Sequence, residues 1–312
     1  MRKLFEEGFM PVKIDADLPA AKFLERENIF FMTKERALSQ EIRPLKIAIL
    51  NLMPDKTATE TQLLRLIGNT PLQAEIVLIR TATYESKHTD EEYLKSFYMT
   101  FDEAVARHLK FDGLIITGAP VEKMEFTSVA YWDELNRIMT WAQSNVYSSM
   151  YICWAAQAAM YGLYGIKKYP LEEKMFGVFE HNVYDRTNPL VRGFNDVFHA
   201  PHSRYTFVRR EDVEKTDALT VLADSDEAGL YLVASKDLRH VFVFGHGEYD
   251  VNTLDDEYRR DRGRGLKTKR PKHYYRNGKP FMSWRAHESL LISNWLNYCV
   301  YQITPYDLKE LR

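Results

Sequence analysis

The sequence predicts an α/β protein: a mostly parallel central sheet with helices on both faces and additional antiparallel strands in the C-terminal half. Three observations predict it. Short apolar runs at 46–52, 74–80, 113–117 and 150–153 alternate with segments of helical spacing, the pattern of buried parallel strands joined by crossover helices. The last run passes directly into Ala155, Ala156, Ala158 and Ala159, and alanine is the strongest helix former. The second half changes character, with imperfect alternation at 176–184 and 197–208 and short runs at 218–223, 229–234 and 240–245 separated by turns, as antiparallel strands require.

Taken in order, residues 1–45 mix turn signals with short apolar stretches and are expected to form an irregular lead-in packed on a single domain over 46–312. Their basic start precedes no apolar stretch, so it is not read as a signal peptide, and Met10 could serve as an alternative start. The run at 46–52 is broken by Met53, Pro54 and Asp55. Thr57 and Glu60 then have the spacing of a capping box, with Leu63, Leu64 and Ile67 on one helical face and Gly68 as a stop. Helical spacing continues over 89–106, and 113–117 is a strand ending in Gly118-Ala119-Pro120. Leu135, Ile138 and Met139 mark a helix over 132–143. Near the end, 255–279 is a long polar segment. Residues 284–301 form an amphipathic helix with Leu290, Leu291, Trp295 and Leu296 on its apolar side, and Cys299 on this helix is read as core packing.

Composition excludes several functions. The chain has 312 residues, 45% hydrophobic and 28% charged, with a net charge of −2, which gives no bulk electrostatic attraction for nucleic acid or an anionic membrane. No apolar run approaches the length of a membrane span. Its two cysteines, Cys153 and Cys299, make no disulfide framework and fit a reducing cytoplasm. The histidines show no metal-ligand spacing, and neither GxxxxGK[ST] nor GxGxxG occurs, so no metal, nucleotide or other cofactor is expected. The arginine- and lysine-dense 258–279 stretch reads as a solvated loop or as a lip over a coenzyme's phosphates.

Two stretches carry chemistry. The strand–Cys153–helix order is that of a nucleophile elbow, which lifts a side chain above the sheet beside the free N–H groups that open the helix. The positive end of the helix dipole favours a thiolate, the reactive form of cysteine. A buried core cysteine is the plain alternative. Far downstream, His246 and Glu248 follow a strand with glycines on either side of the histidine. Residues two apart in an extended chain face one side, so the carboxylate could orient the imidazole as base for the thiol. A strand-end histidine beside a solvated acid is the plain alternative. His202 is a rival base, ranked lower because no carboxylate lies at a useful short offset.

Asn51-Leu52-Met53-Pro54, Thr117-Gly118-Ala119-Pro120, Tyr151-Ile152-Cys153-Trp154-Ala155-Ala156-Gln157, Pro201-His202-Ser203-Arg204-Tyr205, Gly245-His246-Gly247-Glu248-Tyr249-Asp250 and Asn294-Trp295-Leu296-Asn297-Tyr298 stand in this order along the chain. Together they resemble the homoserine O-acyltransferases of methionine synthesis, within the class I glutamine-amidotransferase-like folds. One departure is Gly247, where the resemblance leads one to expect proline. The resemblance implies Cys153 as acyl carrier, His246 as general base and Glu248 as its orienting carboxylate. It implies backbone N–H groups at Trp154, Gly118 and Ala119 as the oxyanion hole, and Lys174, Ser203 and Arg260 as substrate contacts. It implies L-homoserine and an acyl-coenzyme A thioester as substrates, and a homodimer.

Glu122 bears on the acyl donor. In relatives that use succinyl-CoA a glycine is expected there. A glutamate beside the acyl pocket would fill the space of a second carboxylate and repel its charge, so acetyl-CoA is expected, with Ser203 sharing in the selection. Succinyl-CoA is the alternative donor. A glutamine-amidotransferase-like hydrolase and an inactive binding protein on the same scaffold are the alternatives of other classes.

Overall fold

The computed structural model describes residues 12–15, 17–26, 31–32, 43–83, 89–305 and 308. Met10 and the residues before it lie outside this set, as do parts of the expected lead-in. The lead-in residues that are described are not irregular. Strands β1 (Val12–Lys13) and β2 (Phe31–Met32) pair in parallel, and helix α1 (Pro19–Arg26) lies between them. Leu18, Ala20, Ala21 and Leu24 are buried in the main core, so this segment extends the sheet.

The parallel half follows as β3 (Leu45–Leu50), α2 (Lys56–Ile67), β4 (Ala74–Arg80), α3 (Glu91–Phe97), β5 (Tyr98–Thr100), α4 (Phe101–Ala106), β6 (Phe111–Ile116), α5 (Trp132–Asn145), β7 (Val146–Ile152) and α6 (Trp154–Tyr164). Side chains of β3 alternate between two cores. Leu45, Ile47 and Ile49 join one cluster, and Ala48 and Leu50 the other, because successive residues of a strand face opposite sides. Both faces are therefore dry, which explains the unbroken apolar runs.

The second half adds β8 (Tyr169–Val183), β9 (Val197–Phe207), α7 (Arg210–Glu214), β10 (Leu219–Ser225), β11 (Gly229–Ser235) and β12 (His240–Val243). Helix α8 (Thr253–Gly263), a small hairpin of β13 (Tyr275–Arg276) and β14 (Lys279–Pro280), and α9 (Arg285–Asn294) complete the fold. Among the described residues the main sheet runs β2-β1-β4-β3-β6-β7-β12-β11-β10-β8-β9, with β5 also on β4. Strand β12 joins the halves, parallel to β7 on one side and antiparallel to β11 on the other. Its register sets Val243 opposite Ile152, so the residues after both strands leave the sheet at the same level.

The observed fold is the expected one, with differences of detail. The N-cap of α2 is Asp55, whose carboxylate accepts from the Ala58 amide at 3.0 Å. Thr57 is already inside the helix, and Glu60 is buried against the hydroxyls of Tyr93 and Tyr98. A true capping box sits at Thr100 and Glu103, where it breaks the expected 89–106 helix into α3, β5 and α4. Gly68 ends α2 in a right-handed conformation. The polar 255–279 segment begins as helix α8, which aligns Glu257 with Arg260 and Asp261 at helical spacing. Residues 284–301 form α9 and a π-helical stretch, Trp295–Tyr301. Trp295 donates its indole N–H to Ser148 Oγ at 2.9 Å and so braces β7. Cys299 lies in the core, where burial pushes its thiol up to about 12.

Gly177 on β8 lets the Lys272 backbone cross the strand. Val178 N donates to Lys272 O at 2.9 Å and Lys272 N to Phe176 O at 3.0 Å, and a Cβ at 177 would stand 2.4 Å from Lys272 O. Gly177→Ala should therefore cost about 1–3 kcal/mol, read as a lower urea midpoint. Lys56, buried at the start of α2, has its amine pushed down to about 8, chiefly by burial and against the attraction of Glu60. The unfolded amine then binds protons that the folded one does not, so this residue's contribution to stability rises as pH climbs from about 8 towards 10.5. Urea titrations of wild type and Lys56→Met across that window should diverge, with wild type gaining.

Candidate active site

Cys153 has φ +52° and ψ −111°, a conformation that costs a non-glycine residue about 1–3 kcal/mol and persists only when its surroundings hold it. The restraint is visible. Cys153 N donates to Val243 O at 2.7 Å, continuing the β7–β12 pairing, and Gln157 N returns to Cys153 O at 3.3 Å. Ala155, Ala156, Ala158 and Ala159 are all buried, and their small size lets α6 lie close on the sheet. The thiol thus stands at the carboxyl edge of the sheet, at the N-terminus of a helix that begins with Trp154.

Residues after β12 bring the second component. Phe244 N donates to Tyr231 O and His246 N to Pro201 O, each at 2.8 Å, which steers the chain across β11 and β9 toward Cys153. His246 and the Cys153 thiol are within hydrogen-bonding reach. The other ring nitrogen, Nδ1, meets Glu248 Oε1 at 2.7 Å. Burial alone would push the His246 pKa down, but the sulfur of Cys153 and the carboxylate of Glu248 outweigh it and hold the ring well above the ordinary histidine value. Tyr249 stacks on the imidazole with ring centres 4.2 Å apart. Gly118 closes the other side: a Cβ there would lie 3.5 Å from Cys153 Cβ and 3.6 Å from His246 Cε1. The arrangement can take a proton from sulfur and return it to a leaving group.

His202, the rival base, has a different environment. It is fully buried, 2.9 Å from His181 through Nε2, and accepts from Arg204 Nε at 3.3 Å through Nδ1. Burial first, then Arg204 and the neighbouring histidines, push its pKa well below the ordinary value. It is a neutral packing histidine.

Lys174, Ser203 and Arg260 come together from β8, β9 and α8. Lys174 Nζ lies 3.1 Å from Glu257 Oε2 and 3.0 Å from Asp261 Oδ2. Ser203 Oγ donates to Glu257 at 2.5 Å, and Arg260 grips Asp261 Oδ1 at 2.9 and 3.1 Å while staying half exposed. Tyr249 O–H donates to Glu257 at 2.8 Å, so one ring connects this cluster to His246. Glu122 faces the same region. Burial raises its pKa, while Lys174 and His246 pull it down. Glu257 and Asp261 lie within the polar 255–279 segment, and their i, i+4 spacing is the one sequence signal that marks them. Tyr249 stood in a recognised motif without an assigned task.

The Asn51-Leu52-Met53-Pro54 motif also acquires a structural task. Asn51 Nδ2 donates to Tyr98 Oη at 3.0 Å, and Leu52 N donates to Thr117 Oγ1 at 2.7 Å, which ties the loop after β3 to the one carrying Gly118. Beyond them is a cavity of about 340 Å³ walled by Leu52, Lys56, Arg80, Pro120, Val121 and Tyr131. It borders the Gly118 loop, but neither Cys153 nor His246 lines it.

Known proteins share the fold and most of the sequence. Solved structures of glutamine amidotransferases from Thermotoga maritima and Methylobacillus flagellatus have the same fold, with TM-scores of 0.55 and 0.52 at 11% identity, each covering 82% of this chain and 98% and 95% of theirs. A homoserine O-acetyltransferase of Acetivibrio thermocellus is 58% identical, covering 97% of this chain and all of its own. One of Brevibacillus brevis is 55% identical over 96% of this chain and 99% of its own. The sequence model described as homoserine O-succinyltransferase matches residues 11–306. The chain belongs to the homoserine O-succinyltransferase family.

Proposed function

We propose that the protein is a homoserine O-acetyltransferase of methionine biosynthesis, moving acetyl from acetyl-CoA to L-homoserine through a Cys153 thioester. The Cys153–His246–Glu248 constellation carries this reading. His246 takes the thiol proton, and sulfur attacks the acetyl carbonyl. The oxyanion is received by backbone N–H groups at Trp154 and at Gly118 or Ala119. Collapse expels the coenzyme A thiolate, which takes the proton from His246. The homoserine hydroxyl then gives its proton to His246, attacks the thioester and leaves as the O-acetyl ester, restoring the thiol. Glu248 fixes the imidazole throughout. No step calls for a metal or a further cofactor.

The acceptor is a zwitterion, and a cluster pairing Lys174 and Arg260 with Glu257 and Asp261 suits one. Arg260, half exposed, is the group we assign to its carboxylate, with Lys174 and Ser203 beside it. Glu122 is the residue we assign to donor choice, because it lies within electrostatic reach of His246 and Glu257, where a second carboxylate would meet like charge. The names of the relatives support acetyl over the succinyl of the family description. We expect a cytoplasmic homodimer, on the family resemblance and the two unpaired cysteines.

Mass spectrometry after acetyl-CoA is supplied without acceptor should find one acetyl group, on Cys153 and not on Cys299. Cys153→Ala should lose the adduct and lower kcat about 10⁴-fold or more; an unlabelled wild type would refute the acyl-enzyme. Glu122→Gly should improve kcat/KM for succinyl-CoA relative to acetyl-CoA by about tenfold or more, the removal of a like-charge contact. An unchanged ratio would refute the assignment of Glu122.

A further inference from the structure

A further acidic side chain lies against the triad, and none of the chemistry above uses it. Glu288, on α9, is buried, and its carboxyl accepts from the Tyr231 hydroxyl at 2.6 Å. It is pressed onto the backbone between His246 and Glu248. A Cβ built on Gly247 would stand 1.9 Å from both Glu288 Cδ and Oε2, and 2.3 Å from Cγ. The backbone of Gly247 lies outside the left-handed region, so its dihedral angles do not call for glycine. Space does, and the space is taken by Glu288.

We propose that Glu288 is a positioning residue for the His246–Glu248 pair, and that Gly247 and Glu288 are a matched set: the carboxyl occupies the volume that a side chain at 247 would fill. This rests on the triad reading of the site. Two residues of this stretch are otherwise held by their own hydrogen bonds, His246 N to Pro201 O and Tyr249 N to His246 O, and the Glu288 side chain supports the stretch between them. Tyr231, which holds the carboxyl, also accepts Phe244 N through its own backbone carbonyl, so one residue anchors both the strand end and the wedge. The groups facing the carboxyl are Tyr231, Glu248 and His246. Burial, with Glu248 adding to it against the Tyr231 hydrogen bond and the pull of His246, raises its pKa to about 7. It can therefore lie beside Glu248 in neutral form without like-charge cost. The departure at Gly247 from the expected proline follows directly, since the proline ring would put its Cβ in the same place.

The test is a double-mutant cycle in the full-length protein. Gly247→Ala should lower kcat about tenfold, with KM for homoserine changed less than about twofold, because the added methyl displaces the base and leaves the acceptor cluster in place. Glu288→Ala should also lower kcat. The double variant should exceed both singles, since the methyl then fills the vacated volume, and Gly247→Pro/Glu288→Gly should likewise outperform Gly247→Pro. Glu288→Gln, which keeps volume and an acceptor for Tyr231, should stay within about threefold of wild type. A double variant no better than the worse single, or a Gly247→Ala enzyme with wild-type kcat, would overturn the proposal. Melting temperatures give a readout independent of turnover: a variant too unstable to assay must still be rescued there by its partner substitution, and absence of that rescue also overturns it. Full activity in Cys153→Ala would strike the triad reading instead, a result that the melting cycle cannot mimic.

Discussion

The parallel pairing of β7 with β12 is the contact on which the site depends. Neither strand is close to the other in sequence, yet Val243 stands opposite Ile152, and the hydrogen bond from Cys153 N to Val243 O extends that ladder by one residue. In a parallel pair both chains run off the same edge. A thiol placed just past one strand and an imidazole three residues past the other are therefore brought to one level by the strand pairing itself. A slip of one residue would turn Met150 and Ile152, which face one core, toward the core occupied by Tyr151 and Phe242. The register of the site is thus secured by the packing of both faces.

Burial then decides how the polar groups behave. His202 and His246 are both excluded from water and lie on neighbouring elements. Burial and Arg204 push the pKa of one well below the ordinary value; sulfur and carboxylate hold that of the other well above it. The difference is the partners each ring meets. The same rule shapes the neighbouring cluster, where Lys174 is balanced by Glu257 and Asp261. A buried ammonium of this kind is tolerable only when paired, and Tyr249 couples the cluster to the His246 ring through stacking on one side and Glu257 on the other.

Much of this was legible in the chain because it is local. Apolar runs of strand length, an alanine-rich start to α6 and a cysteine at the junction are properties of neighbours, and the elements they predict are present. Local signals lose where distant atoms compete for the same groups. Thr57 and Glu60 have capping-box spacing, but Asp55 caps the helix and Glu60 is drawn to Tyr93 and Tyr98. Residues 255–263 read as part of a long polar segment because their burial lies on one side only, beneath Lys174 and Ser203, which come from other strands.

By itself, the sequence determined the alternation of strands and helices, the strand–cysteine–helix order and the two-residue offset of His246 and Glu248, since each follows from backbone preferences and side-chain period over a few residues. Only the tertiary structure decided that Cys153 meets His246 and not His202. It alone decided that Glu257 joins Lys174 and Ser203, and that Glu288 lies where a side chain of residue 247 would be. Those facts depend on sheet order and on α9 crossing a loop some forty residues earlier in the chain. Such proximity is set by packing of the whole core and leaves no periodic mark in the chain.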